Sequence, residues 1–288
     1  MVYFTDLTMK KLENITRNIK DQILNAFRNN HESYDKDKIS IGITTFENRF
    51  DRYFVPLLSK LKEYVPETEI IVAINGEHRQ AFDEIYRGKI LEFISRYNKV
   101  YPVVFPQFRG LSKLWNSIII NSSNDFTLMI NDDIMIDDSL FLKDVCSAVR
   151  KNKGRSFLIN RSWSHFLINR SEIDELGYFD ERLLGIGEED GDMTWRYLSH
   201  FGREINSFKL KCFINYAEES VNTYKPTNIQ CHSGSKYSLF NREFMFKEKY
   251  HPDPTGIKGM FNEPVSLKNP GREQYPNERF YHLHKNDL

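Results

Sequence analysis

Cysteine is scarce in this chain: Cys146, Cys212 and Cys231 are odd in number and scattered across 288 residues. They make no disulfide framework and have no metal-finger spacing, which points to a reducing, cytosolic compartment. Apolar runs are short, and none approaches the roughly 18 residues of a membrane span. No basic-then-apolar leader follows Met1. Net charge is also lacking, because 40 Lys and Arg balance 40 Asp and Glu. That balance gives no global attraction to nucleic acid or anionic lipid. With no basic-aromatic motif either, nucleic acid is excluded as the partner. No internal repeat or low-complexity block interrupts the chain. The expectation is a cytoplasmic protein, attached at most to the inner face of a membrane.

What the chain does have is core material, with 40% hydrophobic and 14% aromatic residues, so wholesale disorder is excluded. Leu12, Ile15, Ile19, Ile23 and Phe27 recur at helical steps and predict an amphipathic helix between about Leu7 and Asn30. Its apolar face would pack on the main domain, on a second copy of the chain, or on a membrane surface through Lys10, Lys11, Arg17 and Lys20. Residues 1–37 are therefore set apart as helix and linker.

From Lys38 the pattern becomes strand, helix, strand, helix. Strands are expected at Ile39–Thr45, Glu69–Ile74, Val100–Phe105 and Phe126–Ile130. The intervening helices are expected at Asp51–Tyr64, His78–Tyr97 (apolar stripe Phe82, Ile85, Ile90, Phe93, Ile94) and Leu111–Asn121. Such alternation means an α/β fold with a mostly parallel sheet and helices on both faces. Further on, Phe141–Lys151 reads as helix, Ser156–Arg161 and Phe166–Asn169 as strands. A helix begins near Ser171 and stops at Gly177, and another runs from Glu188 to His200. The main domain is placed at 38–240. Residues 241–288, rich in Pro, Gly, Asn and aromatics without periodicity, are read as an extension, a lid or an acceptor-side wrap.

Two acidic sites stand out. The apolar run Phe126–Ile130 stops at Asn131-Asp132-Asp133, and carboxylates at a strand end in an open α/β sheet face the ligand crevice. They suit a hard divalent cation shared with a phosphate. Taken alone, an acidic turn or a helix cap accounts for the same residues. The second site is Gly187-Glu188-Glu189-Asp190-Gly191-Asp192, where acids meet the positive end of a helix dipole. Its glycines permit a tight loop, and a carboxylate there can act as general base on a hydroxyl. Asp192 and Arg196 lie four apart on that helix and can pair.

Taken in order, these segments resemble a GT-A glycosyltransferase of the family 2 kind. The resemblance covers about Lys38 to Ser235. It rests on Thr44-Thr45-Phe46-Glu47-Asn48-Arg49, Asn75-Gly76, Arg109-Gly-Leu-Ser-Lys-Leu-Trp-Asn116, Asn131-Asp132-Asp133, Gly177-Tyr-Phe-Asp-Glu181, and Glu189-Asp190-Gly-Asp192 with Arg196. It implies a nucleotide-diphosphate sugar donor, a glycan or glycoconjugate acceptor, and a role in polysaccharide biosynthesis. Asp133 then becomes the ligand of Mn²⁺ or Mg²⁺, with Asn131 standing where the family's motif carries its first Asp. Asp132 and Asn131 become donor contacts. Asp190 matches the catalytic base of an inverting enzyme, with Glu189 beside it binding the acceptor or orienting the site.

The same resemblance assigns nucleoside contacts to Thr44, Phe46 and Glu47, and a phosphate contact to Arg49. Asn75 stands where an Asp usually meets the base. Gly110 and Ser112 line the ribose and diphosphate, with Lys113 available for phosphate. His232 resembles the late histidine that some GT-A enzymes use as a third metal ligand. His165, Trp163 and Trp195 are candidates for an acceptor pocket, with core packing as the competing reading, and Asn116 is read as structural. Two further functions share the fold. A nucleotidyltransferase would need a Gly-rich basic loop after the first strand, and Thr44 to Arg49 contains no glycine. A non-catalytic sugar-binding protein would explain Asn131 and Asn75.

Overall fold

The computed structural model describes residues 38–46, 49–76, 83–216, 236–251 and 267–268. The expected N-terminal helix, Glu47, Phe82, Cys231, His232 and most of the C-terminal extension lie outside the described residues.

Strands β1 (Ile39–Thr45), β2 (Ile70–Ile74) and β3 (Val100–Val104) pair in parallel, and β4 (Phe126–Asn131) pairs in parallel with the other side of β1. Two short strands leave the main sheet, β5 (Ile134–Ile136) and β9 (Phe213–Asn215), and pair antiparallel with each other. The main sheet continues with β7 (Ser162–Asn169), antiparallel to β4, then β6 (Phe157–Ile159) and β8 (Asn206–Phe208). The order is β3-β2-β1-β4-β7-β6-β8. Every residue of β1 and β2 is buried, as expected for parallel strands covered on both faces. The β5–β9 pair is an addition to the elements expected from the sequence.

Helix α1 (Val55–Tyr64), led in by a π-helical turn at Phe50–Phe54, buries Leu57, Leu58 and Leu61. Helix α2 (Glu84–Ile94) starts where the Asp83 side chain accepts from the N–H groups of Ile85 and Tyr86, a side-chain N-cap. Its buried stripe is Tyr86, Ile90, Phe93 and Ile94. Ile85 is 72% exposed, a correction to the expected stripe, because it lies one position off this repeat.

Helix α3 (Leu111–Asn121) buries Leu111, Leu114, Trp115, Ile118 and Ile119, the i, i+3, i+4, i+7, i+8 pattern of a core-facing face. It reaches the sheet over Gly42, where a Cβ would stand 2.3 Å from Ile118 Cγ2. Trp115 lies against Phe166 and Phe179 at ring separations of 5.1 and 4.8 Å. Helix α4 (Phe141–Lys151) follows β5. Asp138 makes a turn ahead of it, accepting from the Leu140 N–H at 2.8 Å.

Helix α5 (Arg170–Leu176) is capped by Asn169, whose side chain accepts from the Ser171 N–H. The expected Ser171 start therefore moves one cap earlier. Helix α6 (Glu189–Phe201) ends at Gly202 in the left-handed region. Helix α7 (Lys236–Phe244) continues into a π-helical turn at Met245–Lys249. This helix runs across residue 240, where the extension was expected to begin. Aperiodic composition hid it, because the partners of Tyr237, Asn241 and Phe244 lie far off in the chain.

Candidate functional site

The sheet order reverses between β1 and β4: β2 and β3 lie on one side of β1, and β4 on the other. Open α/β sheets bind their ligands beyond the strand ends at such a switch point. Thr44 and Asn131 are register partners there, joined by Thr44 Oγ1 donating to Asn131 Oδ1 at 3.3 Å. Just beyond, Arg49 bridges two acids, with Nε 2.6 Å from Asp132 Oδ1 and Nη2 2.7 Å from Asp133 Oδ2. Burial raises the Asp132 carboxyl to about 7, against the opposing pull of Arg49.

Among the described residues, buried Asp132 Oδ2 and Asp133 Oδ1 have no hydrogen-bond partner. Two orphan carboxylate oxygens are the hard donors that Mg²⁺ or Mn²⁺ takes in small number while sharing a phosphate. The set fits such a cation. Among the described residues no group of three or more His, Cys, Asp or Glu is placed to hold a metal, so these acids would act together with a ligand's oxygens.

The neighbouring loop is braced from within. Asn75 Nδ2 donates to the Arg109 carbonyl at 2.9 Å and Asn75 Oδ1 accepts from the Arg109 N–H at 2.8 Å. Both ends of the Asn75 amide thus hold the loop expected to pass a nucleotide. Gly110 opens α3, and the Leu111 N–H donates to the Gly185 carbonyl at 2.8 Å. The Ser112 hydroxyl is buried and has no partner. Lys113, expected to meet phosphate, instead stands 3.3 Å from Glu181 Oε2. Asn116 is structural here: its amide donates to the Phe179 carbonyl at 2.8 Å and to Glu181 at 2.9 Å. Phe46 is half-buried against Phe108, Leu184 and Tyr237.

The second acidic site opens α6. Glu188 occupies the left-handed region at φ 76°, an uncommon conformation for a side chain of its size. Glu189 is buried, and its Oε2 accepts from the Gly187 N–H at 2.5 Å. Burial, with Asp190 adding to it, raises the Glu189 carboxyl to about 8. Asp190 is less enclosed than Glu189, and burial raises its carboxyl too. Asp190 Oδ1 accepts from the Gly191 N–H at 2.8 Å. The site therefore pairs a buried acid, whose neutral form burial favours, with a more accessible one.

Antiparallel pairing brings both acidic sites to one sheet edge. Ile130 of β4 stands opposite His165 of β7, so Ser162–Ser164 flank the end of β4. The Trp163 indole N–H donates to Thr194 Oγ1 at 3.2 Å, and that hydroxyl donates to the Asp190 carbonyl at 2.7 Å. His165 lies in the core, stacked on Phe213 with a ring separation of 5.7 Å. Neither of its ring nitrogens has a partner, and burial lowers it to about 4. Trp195 is a core residue, edge-on to Tyr250 at 5.3 Å. Asp192 makes the expected pair with Arg196 at 2.9 Å.

Sequence reasoning missed the brace behind α6. Asn241 Nδ2 donates to the carbonyls of Leu184 and Gly187 at 2.9 and 2.7 Å, and its Oδ1 accepts from the Leu184 N–H at 2.8 Å. Arg242 Nε lies 2.6 Å from Glu188 Oε1. No local pattern announces these contacts; the adjacent polar pair Asn241-Arg242 within Phe240–Phe244 is the one signal.

An open, mostly parallel α/β sheet with acids at its switch point and a second carboxylate pair at the same edge is the arrangement expected of a GT-A fold. Residues 114–244, just under half of the chain, match the family model described as glycosyltransferase like family 2. That match contains both acidic sites. No curated protein matches the sequence. Among solved structures, the chain is similar to S. aureus TarS, with 16% identity, 61% of this chain and 36% of that one covered, and a TM-score of 0.48. The S. aureus TarS 1-349 complex with UDP-GlcNAc gives 16% identity, 61% and 57% coverage, and a TM-score of 0.48. Mannosyltransferase PcManGT from Pyrobaculum calidifontis, in complex with GDP-Man and Mn²⁺, gives 9% identity, 69% and 65% coverage, and a TM-score of 0.46. The chain spans 36% of the length of TarS. Among the described residues no helix is long and apolar enough to cross a membrane.

Proposed function

We propose that this chain is an inverting, divalent-metal-dependent glycosyltransferase that moves a sugar from a nucleotide-diphosphate donor to a hydroxyl of a glycan or glycoconjugate. One observation carries the reading: Asp132 and Asp133 at the end of β4 share a sheet edge with Asp190 at the start of α6. The first pair is suited to hold a diphosphate through a cation, and the second site is suited to take a proton from a nucleophile.

In this reading Asp133, with Asp132 behind it, would hold Mn²⁺ or Mg²⁺, which when bound neutralises charge on the departing diphosphate. Asp190 accepts the proton of the acceptor hydroxyl as that oxygen bonds to C1 of the sugar. The C1–oxygen bond to the diphosphate breaks on the opposite face, and its electron pair leaves with the nucleotide. Glu189, kept protonated by burial, does not compete for that proton and can donate a hydrogen bond to the acceptor. Phe46, Thr44 and the 109–113 loop form the nucleoside side of the crevice.

A panel of nucleotide sugars screened by thermal shift, with and without Mn²⁺, tests the reading. Stabilisation by a nucleotide sugar that needs Mn²⁺ and vanishes in Asp133→Ala is the expected result. A chain stabilised by none of the panel would sink it. Release of pyrophosphate from a nucleoside triphosphate would instead favour a nucleotidyltransferase.

A further inference from the structure

The guanidinium of Arg49 is the cation that the two donor-site acids already have. It reaches them from the loop after β1 with contacts of 2.6 Å to Asp132 and 2.7 Å to Asp133. This is a built pair, since Arg49 is 8% and Asp132 1% exposed. Arg49 also lies 5.1 Å from the ring of Tyr53, and Tyr53 packs on Tyr216 at 5.3 Å. The Tyr216 N–H donates to the Asp133 carbonyl at 3.0 Å. Arginine, carboxylates and aromatics thus close into one unit across β1, β4 and β9.

We propose that Arg49 and a divalent cation compete for Asp132 and Asp133, and that a diphosphate relieves the competition, an inference that rests on the transferase reading of this site. With Arg49 in place both carboxyl groups already face a cation, one guanidinium shared between two acids. A divalent ion entering alone must displace Arg49 or stand beside a like charge in a water-poor setting, where repulsion is weakly screened. A diphosphate changes the balance. Its oxygens give the guanidinium a planar, bidentate partner and give the metal the ligands that two carboxylates lack. Metal and nucleotide then bind with positive coupling, and linkage makes the effect reciprocal. Arg49 is a positioning residue in this scheme: it keeps the acids oriented and charge-balanced until both ligands arrive.

Titration of the full chain with Mn²⁺, following free ion by electron paramagnetic resonance, tests this without reading activity. Wild type is expected to bind Mn²⁺ at least about tenfold tighter in saturating UDP or GDP than without nucleotide, within the usual range of coupling. Arg49→Gln is expected to bind Mn²⁺ alone about tenfold tighter than wild type and to lose most of the nucleotide dependence. Arg49→Lys, which keeps the charge and loses the bidentate fork, should hold the nucleotide-free Mn²⁺ affinity near wild type. Equal Mn²⁺ affinity of wild type with and without both nucleotides overturns the proposal, and that measurement needs no variant. So does an Arg49→Gln variant, folded by its melting transition, whose nucleotide-free Mn²⁺ affinity is unchanged. Failure of either nucleotide to bind in the presence of Mn²⁺ removes the transferase reading and the relief by diphosphate. Competition between Arg49 and the ion is then judged by the Arg49→Gln titration alone.

Discussion

Lys249 Nζ stands 2.6 Å from Asp180 Oδ2 and 2.6 Å from Asp192 Oδ1, with all three side chains wholly buried. Arg182 completes Asp180 at 2.7 Å, Arg196 completes Asp192 at 2.9 Å, and the Tyr250 hydroxyl donates to Asp192 at 2.7 Å. Burial by itself would raise both carboxyls, but Lys249 and the arginines overcome it and hold them below the usual range. The cluster ties the π-helical turn after α7 to the helix carrying Asp190.

Replacing Lys249 by Met leaves two buried carboxylates short of a cation. Breaking a buried ion pair from one side costs about 3–5 kcal/mol. At roughly 2–4 °C per kcal/mol for a chain of this class, Lys249→Met should melt on the order of 10 °C lower. Adding Asp192→Asn should recover part of the loss, and calorimetry of the single and double variants checks both. The depressed carboxyls contribute stability above their unfolded pKa and lose it as pH falls through their folded values. The wild-type advantage over Lys249→Met should therefore shrink in acid.

Asp190→Asn keeps the shape of the site and removes its base. Sugar transfer should fall by about 10²–10⁴-fold, the usual worth of a positioned base. Binding of UDP or GDP with Mn²⁺ should be unchanged. Parallel measurement of transfer rate and nucleotide affinity separates the two, and full transfer by this variant would remove Asp190 from its role.

Glu189 has a folded-state value raised to about 8 by burial and by Asp190. A raised carboxyl contributes stability below its unfolded pKa and loses it as pH rises through the folded value. Glu189→Gln, neutral at every pH, should gain on wild type by a growing margin between pH 5 and pH 8 in thermal melts. Its transfer rate should rise with the ionisation of Asp190 and lack the fall expected of wild type as Glu189 ionises. A constant stability margin across that window would contradict the assignment.

Gly42 lies under α3, where a Cβ would meet Ile118 Cγ2 at 2.3 Å and Met129 Sδ at 2.8 Å. Gly42→Ala should cost about 1–3 kcal/mol by overpacking, read from denaturant midpoints. Gly88→Ala makes the control, since a Cβ there meets nothing within 4 Å. That substitution in the middle of α2 should be neutral or stabilising.

Periodicity made the frame legible. The β-branched runs of β1 and β4 and the stripe of α3 are local patterns, so their elements stand where the sequence places them. The error at Ile85 and the missed helix α7 arose where the apolar signal was thin. The positions of Asn131-Asp132-Asp133 and Glu189-Asp190 in the fold were readable because each marks the end of one periodic element or the start of another.

Local pattern carries no information about which distant partner a charge will find. Nothing near Lys113 in the sequence announces Glu181, 3.3 Å away. Nothing near Asn75 announces Arg109, whose backbone its amide braces. Lys249 bonds to Asp180 across 69 positions and Asn241 to Leu184 across 57. A buried charge takes whichever opposite charge the fold brings within reach, because leaving it unpaired costs more than any local preference supplies. The sequence thus determined the order of strands and helices and the ends at which acids would stand. Only the packed chain decided that Arg49 would close on Asp132 and Asp133, and that Lys249 would fasten the segment behind Asp190.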